Sequence, residues 1–138
     1  MSEQNKATAR RFYKEVFNKQ NVNFMDEVCA PDFTDHAPMP GQKPGIAGTK
    51  EMFTSFKTAF PDMRVNVDDM VAEGDVVVAR FTGTATHKGP IFGAPATNKR
   101  ITFHGIDWMK FRGGKVSEVW HQGDDPVVLM SLGVKLPG

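Results

Sequence analysis

The hydrophobic pattern of this chain changes its period at Pro61, and this change limits the fold more than any other feature. Before Pro61, apolar residues recur every three or four positions, which predicts helices. After it, apolar and polar residues alternate, which predicts strands. The predicted helices cover residues 3–19, 22–29 and about 46–59, and the main predicted strands cover residues 75–87, 101–111 and 116–122. Helices followed by an antiparallel sheet indicate one α+β domain over residues 1–138.

The composition excludes several classes of protein. The 138 residues include 17 basic and 16 acidic side chains, a net charge of +1, so no overall field favours nucleic acid. The single cysteine, Cys29, excludes an internal disulfide framework and suits a reducing compartment. The opening residues MSEQNKATARR lack the apolar core of a signal peptide, and no apolar run reaches membrane-spanning length. We therefore expect a soluble, cytoplasmic protein with no nucleic-acid or membrane partner.

The pair Gly113-Gly114 separates two strand-like segments and predicts a two-residue hairpin turn. Counting back from a regular turn sets Asp107 opposite Trp120, and residues directly opposite share a face of the sheet. One face, which we predict to be interior because it is the more apolar, then collects Phe103, Asp107, Met109, Phe111, Val116, Trp120 and Asp124. The other face collects His104, Ile106, Trp108, Lys110, Val119 and His121.

Two carboxylates on an apolar inner face would have an unusual environment. Burial raises a carboxyl pKa, and a second carboxylate nearby raises one of the pair further, which suits general acid–base chemistry near neutral pH. Structural roles are open as well. Asp124 or Asp125 could cap the tail helix, for which Pro126 is a favoured first residue, and Asp107 could be an ordinary hydrogen-bonded strand residue. A helix cap is the preferred interpretation for Asp125.

Few other residues indicate chemistry. The spacing of the four histidines matches no zinc pattern, so we expect no metal site. His36, in FTDHAP, follows a short predicted strand and is a second candidate for the site, with a local turn role as the alternative. The loop THKGPIFGAPATNK carries Ile91 and Phe92, which suggest either a lid over a pocket or packing at the rim of the sheet.

Several segments together resemble the SnoaL-like polyketide cyclases of the nuclear transport factor two-like superfamily, over nearly the whole chain. They are FYKEVFN, FTDHAP, AFPDM, AEGDVVVARFTGTATHKGPIFGAPATNKR and GGKVSEVWHQGDDPVVLMSLG. The last is the most specific, because in these cyclases an aspartate follows the E-x-W strand nine residues before a closing L-G. In this chain that spacing, counted from Gly133, falls on Asp124.

The resemblance implies a cone-shaped barrel in which a curved antiparallel sheet packs against three N-terminal helices and encloses a pocket. Characterised members close a polyketide ring by intramolecular aldol condensation without metal or organic cofactor. The family aspartate takes a proton from an activated carbon, and Asp124 would inherit that role. Asp107 stands where one branch of the family has a histidine that assists the substrate carbonyl.

We therefore expect a cofactor-independent enzyme of the cyclase or isomerase type, with a small hydrophobic or polycyclic substrate. Asp124 would be the acid–base group, and Asp107 and His36 would orient the substrate or tune the pKa of Asp124. The predicted apolar pocket residues are Phe103, Trp120, Phe53, Ile91 and Phe92.

Other functions fit the same sequence. A non-catalytic module that binds a hydrophobic metabolite is the main alternative. An epoxide hydrolase on this fold would need an Asp–Arg–Asp relay, for which Arg80 is the only suitable strand arginine. The outer face of the sheet, with Ile106, Trp108 and Val119, is apolar enough to predict a homodimer or higher homo-oligomer.

Overall fold

The computed structural model describes residues 2–135 and contains an α+β fold, as the change of period predicts. The helical part comprises α1 (Ser2–Phe12), a π-helical turn (Tyr13–Asn18), a 3₁₀ turn (Val22–Phe24), α2 (Met25–Val28) and α3 (Gly45–Ala59). The strands are β1 (Cys29–Asp35), β2 (Arg64–Glu73), β3 (Val76–Thr86), β4 (Arg100–Arg112) and β5 (Lys115–Gly123), and the tail helix is α4 (Asp125–Ser131). Within residues 2–135, no helix is long and apolar enough to cross a membrane.

The five strands form one sheet in the order β1-β5-β4-β3-β2. The pairs β2–β3, β3–β4 and β4–β5 are antiparallel, but β1 runs parallel to β5. The sheet is therefore mixed rather than wholly antiparallel. Because a parallel pair needs a crossover connection, the long path from β1 through α3 and β2–β4 to β5 carries the chain across one face of the sheet.

The helices cover the inner face of this sheet and leave the other face to solvent. The π-helical turn docks on β2 through Asn18, whose amide accepts from Val65 N at 2.6 Å and donates to Val65 O at 3.0 Å. Such turns replace the usual hydrogen-bond ladder of a helix and often occur at functional sites. Here the turn begins at Tyr13, whose side chain is buried beneath the helices at 2 % exposure.

The hairpin between β4 and β5 has the predicted turn. Gly113 and Gly114 have φ of +59° and +79°, the left-handed conformations that a tight hairpin requires, and Arg112 pairs with Lys115. The register shifts after the next pair: Phe111 pairs with Val116, but Lys110 pairs with Glu118. Ser117 is therefore the extra residue of a β-bulge, and its hydroxyl donates to Lys110 O at 3.1 Å.

The bulge overturns the predicted pairing beyond it. Asp107 pairs with His121 instead of Trp120, and Met109 pairs with Val119. A shift of one residue turns every later side chain of β5 to the opposite face. Val119 and His121 consequently face inward and Trp120 faces outward, the reverse of the prediction, while the inward placement of Asp107 is confirmed.

Candidate active site

A cavity of about 140 Å³ lies between the inner face of the sheet and the helices. Its walls are mostly apolar and include eight phenylalanines, Phe12, Phe17, Phe33, Phe53, Phe56, Phe60, Phe81 and Phe103. Only a few polar residues reach it, which is the usual character of a small-molecule site. Phe53 and Phe103, two of the five predicted pocket residues, line this cavity.

Asp107 lies at the buried end of the polar part of this cavity. Its residue exposure is 8 %, so the charge of its carboxylate must be compensated by hydrogen bonds. Tyr13 Oη donates to Oδ2 at 2.5 Å, and His121 Nδ1 lies 2.7 Å from Oδ1. Burial and the neighbouring Asp107 carboxylate raise the pKa of Tyr13 well above 10, which keeps the phenol protonated as a donor. Each carboxyl oxygen of Asp107 thus already accepts one hydrogen bond from the protein.

His121 joins Asp107 to a second carboxylate. Its Nε2 lies 2.7 Å from Asp125 Oδ1, so each ring nitrogen faces a carboxylate oxygen. With both carboxyl groups ionised, both nitrogens donate, and only the imidazolium form can do so. Burial by itself would lower the pKa of His121, but the hydrogen bonds and charges of Asp107 and Asp125 outweigh it and raise the pKa from 6.5 to about 10.

Two glycines make room for the inner array, as we call the hydrogen-bonded side chains of Tyr13, Asp107, His121 and Asp125. A Cβ at position 105 would lie 2.5 Å from Phe81 Cζ and 2.7 Å from His121 Cε1, so only glycine allows these two rings to lie over β4. A Cβ at position 123 would lie 2.5 Å from His104 O and 2.9 Å from Asp125 Oδ1. The Phe81 and His121 rings are close to parallel, 6.1 Å apart at their centroids. The aromatic wall therefore holds the imidazolium ring in place.

Asp125 is the more accessible end of the array. It is the first residue of α4, and 25 % of its side chain remains exposed against 11 % for Asp107. It lines the cavity, and its Oδ2 has no hydrogen-bond partner among the described residues. Asp125 therefore offers the cavity a carboxylate oxygen that the protein itself does not use.

The predicted roles of the two adjacent aspartates are reversed in space. Asp124 lies outside the cavity, where its Oδ1 accepts from His104 N at 2.8 Å and its Oδ2 lies 2.9 Å from His104 Nδ1. Burial raises the pKa of Asp124, but the hydrogen bonds and charge of His104 outweigh this effect and lower it. Asp124 occupies the N-cap position of α4 without a side-chain capping bond. The prediction that Asp124 lies inside the pocket is wrong, because the register shift separates Asp124 from Phe103. The prediction that Asp125 caps α4 is also wrong, because Asp125 is the first residue of the helix.

The remaining predicted site residues lie elsewhere. His36 stacks on Trp120 on the outer face, with ring centroids 4.3 Å apart, and its Nε2 lies 2.9 Å from Glu118 Oε1. His36 and Trp120 therefore do not line the cavity. Ile91 is buried in the core, and Phe92 packs against Phe56 at a centroid distance of 6.3 Å, behind the cavity wall and not in it.

Two further residues that the sequence singled out also lack a place in the cavity. Arg80 points to the outer face and pairs with Asp68 at 3.6 Å, so it cannot form the Asp–Arg–Asp relay of an epoxide hydrolase. Cys29 is buried, and burial raises the pKa of its thiol to about 12, which makes it an inert core residue. Within residues 2–135 no cluster of three His, Cys, Asp or Glu side chains has the arrangement of a metal site.

Sequence reasoning missed Tyr13, His121 and Asp125 as site residues. One signal could have revealed two of them. In a regular hairpin Glu118 would lie on the interior face between Val116 and Trp120, an unpaired carboxylate in the core. An extra residue before Glu118 removes this conflict, and it also brings His121, and with it Asp125, into the interior. No comparable signal links Tyr13 to Asp107, which lies 94 residues away in sequence.

The comparison with protein families identifies the group to which this fold belongs. The family model of the SnoaL-like polyketide cyclases matches residues 7–130 of this chain. The chain belongs to the SnoaL-like polyketide cyclase family. No curated protein matches it significantly.

Solved structures of other proteins share the fold over almost the whole chain. A candidate polyketide cyclase from Acidithiobacillus ferrooxidans is 31% identical, with a TM-score of 0.80 and 94% of each chain covered. IdmH, a candidate polyketide cyclase from Streptomyces antibioticus, is 29% identical, with a TM-score of 0.78 and coverage of 95% of this chain and 99% of IdmH. AclR, a candidate hydroxylase from Streptomyces galilaeus, is 27% identical, with a TM-score of 0.83 and coverage of 100% of this chain and 89% of AclR. The same fold thus occurs in relatives with two different proposed activities.

Proposed function

We propose that this protein is an acid–base enzyme that closes or isomerises a small polyketide-like carbon acid, with Asp125 as the group that exchanges protons with the substrate. The observation that carries this proposal is the chain Tyr13–Asp107–His121–Asp125, which ends in an unused carboxylate oxygen inside a phenylalanine-lined cavity. Membership of the polyketide cyclase family supports the substrate class.

The proposed ring closure needs two proton transfers at one carboxylate. Asp125 first accepts a proton from a carbon flanked by electron-withdrawing groups, and the electron pair of the broken C–H bond forms an enolate. The enolate carbon then attacks a carbonyl of the same molecule, forming a C–C bond and an alkoxide. The carboxylic acid of Asp125 returns its proton to the alkoxide, so the enzyme ends in its starting state. Protonating the enolate at another carbon would give isomerisation instead.

Tyr13, Asp107 and His121 hold the Asp125 carboxylate in position. His121, as an imidazolium, donates to Asp125 Oδ1, which leaves Oδ2 as the oxygen that accepts a proton from the substrate. Asp107 stabilises the imidazolium, and Tyr13 holds Asp107. The Asp107 side chain is 11% exposed against 25% for Asp125, and each of its oxygens already accepts a hydrogen bond, so Asp107 is a positioning residue in this mechanism. The aromatic walls exclude water and hold the substrate with its reacting carbons together.

Adjacent aspartates provide a matched test. Asp125→Asn and Asp124→Asn remove the same charge one residue apart, but only the first lies in the cavity. We expect Asp125→Asn to lower turnover of a panel of polyketide-like carbon acids by a factor of about 10²–10⁴, and Asp124→Asn to leave it within a few-fold. An equal loss in both variants, or a loss only in Asp124→Asn, would overturn the assignment. Ligand binding without turnover by the wild type would favour the binding module.

We further propose that the outer face of the sheet is covered by a second copy of the chain. Val71, Val78, Trp108 and Trp120 are successive cross-strand partners on β2, β3, β4 and β5, so they form one apolar row across the sheet. Trp108 and Trp120 are 49% and 39% exposed in the isolated chain, an arrangement typical of interfaces. Sedimentation analysis should find a dimer for the wild type and a monomer for Trp108→Glu; a folded wild-type monomer at high concentration would exclude it.

A further inference from the structure

The cavity has a second polar region, formed by residues that the proposed reaction does not use. Asp35, at the end of β1, and Thr49, in α3, both line it. Thr49 is 3 % exposed and Asp35 is half-buried. Gln42, from the loop between β1 and α3, lies behind them and connects the two side chains.

The hydrogen bonds within this group show which of its donors and acceptors remain unpaired. Met39 N donates to Gln42 Oε1 at 2.9 Å, and this contact fixes the orientation of the amide. Gln42 Nε2 therefore donates to Asp35 Oδ2 at 3.0 Å and to Thr49 Oγ1 at 3.3 Å. The hydroxyl proton of Thr49 is given to Gly45 O at 3.1 Å. Every donor in the group is consumed internally.

Acceptor capacity, in contrast, remains. A carboxylate has about four lone-pair positions, and Asp35 receives only two hydrogen bonds, from Gln42 and from Ala37 N at 2.9 Å. Thr49 Oγ1 likewise keeps one lone pair, because a hydroxyl oxygen has two. Both residues therefore present only acceptors to the cavity.

The charges around the cavity also favour a ligand that donates hydrogen bonds. Asp35 has no ion-pair partner among residues 2–135, although the other aspartates that are buried or half-buried in that range each have one. No Lys or Arg side chain of the described residues lines the cavity. With Asp35, Asp107 and Asp125 against the single imidazolium of His121, the cavity carries an excess of negative charge, which disfavours an anionic ligand.

We propose that Asp35 and Thr49 form a binding subsite for a hydrogen-bond-donating group, a hydroxyl or an ammonium, on an otherwise apolar ligand. Asp35 pairs with Val119, two residues before His121 on the inner face of the sheet. Strand rise and strand spacing then put the backbones of Asp35 and His121 about 8 Å apart. One small ligand could therefore place its donor group at Asp35 and its reacting carbon at Asp125. This inference rests on the proposed function only in taking the cavity as the ligand site.

Four probes with one apolar skeleton test the subsite: 2-naphthylmethylamine, 2-naphthalenemethanol, its methyl ether, and 2-naphthoate. Calorimetric titration of the wild type should give tighter binding of the amine and the alcohol than of the methyl ether, by about tenfold for the amine, with naphthoate weakest. Equal affinities, or naphthoate as the best ligand, would overturn the proposal without any variant.

Variants then separate Asp35 from the rest of the cavity. Asp35→Asn should reduce amine affinity about tenfold and leave that of the methyl ether within about twofold. Asp75→Asn, which removes the same charge from an exposed turn, is the control and should change neither. Asp125→Asn should retain the preference for the amine while turnover is lost. If Asp125→Asn abolishes the preference and Asp35→Asn retains it, the subsite proposal fails; if the preference stands but Asp125→Asn turns over normally, the proposed function fails alone.

Discussion

The two faces of the hairpin each hold a histidine paired with an aspartate, and they differ chiefly in burial. On the inner face His121 lies between Asp107 and Asp125, beneath aromatic rings, and its pKa is raised to about 10. On the outer face His104 pairs with Asp124, with 62% and 40% of their side chains exposed. Water screens the outer pair, so it contributes little to stability, whereas the inner array depends on all its members. The extra residue Ser117 turns His121 inward and Asp124 outward. The register of β5, and not the residue type, therefore decides which face each side chain occupies.

The largest expected difference between the faces concerns loss of the histidine. His121→Gln leaves two carboxylates close together without a cation, which should cost about 3–5 kcal/mol of unfolding free energy at pH 7. His104→Gln removes an exposed pair and should cost less than about 1 kcal/mol. Urea unfolding of the two variants measures both values. Equal losses would contradict the different burial of the two faces.

Gly105 offers a way to disturb the inner array from the backbone. Gly105→Ala places a methyl group against Phe81 and His121, and such overpacking should cost about 1–3 kcal/mol and displace the imidazolium. Gly74→Ala is a control of similar size, because Gly74 has a φ of +59° but open space around it. We expect both variants to melt at lower temperature and only Gly105→Ala to lose turnover. Unchanged turnover in Gly105→Ala would show that the ring position is unimportant.

Tyr13 tests the deepest contact of the inner face. Tyr13→Phe keeps the packing and removes the proton donated to Asp107 Oδ2, leaving a buried acceptor unpaired at a cost of about 1–2 kcal/mol. Because Asp107 then holds His121 less firmly, turnover should also fall, but less than in Asp125→Asn. Chemical denaturation and steady-state kinetics on the same preparation check both effects. A variant as stable and as active as the wild type would remove Tyr13 from the array.

The stability of the inner face should also depend on pH. The folded pKa of His121, about 10, exceeds its ordinary value of 6.5. Its contribution to stability is therefore complete below pH 6.5 and is lost as the pH rises towards 10, by up to about 1.4 kcal/mol per pH unit. The stability difference between wild type and His121→Gln should accordingly shrink from pH 7 to pH 8.5. Unfolding curves at the two pH values measure it, and a constant difference would contradict the raised pKa.

Much of this architecture could be predicted because it depends on local signals. The change of period at Pro61 predicted the α+β class, and the glycines at 113 and 114 predicted the turn. Ser117 itself carries no local signal, and the bulge shows only in the conflict that a regular hairpin creates by placing the Glu118 carboxylate unpaired in the core. The placement of Asp124, Trp120 and His121 depended on that one residue, so the predicted site failed there while Asp107, before the bulge, was placed correctly.

Long-range contacts were equally beyond the sequence. The parallel pairing of β1 with β5 sets Asp35 beside Val119, and the π-helical turn brings Tyr13 to Asp107. Neither depends on residues that are close together in the chain. The aromatic character of the pocket was easier to predict, because Phe53 lies on the apolar stripe of a helix and Phe103 on the apolar face of a strand.

Titration of the His121 ring by ¹⁵N NMR, in the wild type and in Asp125→Asn and Asp124→Asn, tests the central claim most directly. If His121 lies between two carboxylates, its ring stays doubly protonated through neutral pH in the wild type and titrates near 10. Asp125→Asn should lower that pKa and Asp124→Asn should leave it unchanged. A His121 that titrates near 6.5, or that responds to Asp124 and not to Asp125, would contradict the array and with it the assignment of Asp125 as the acid–base group.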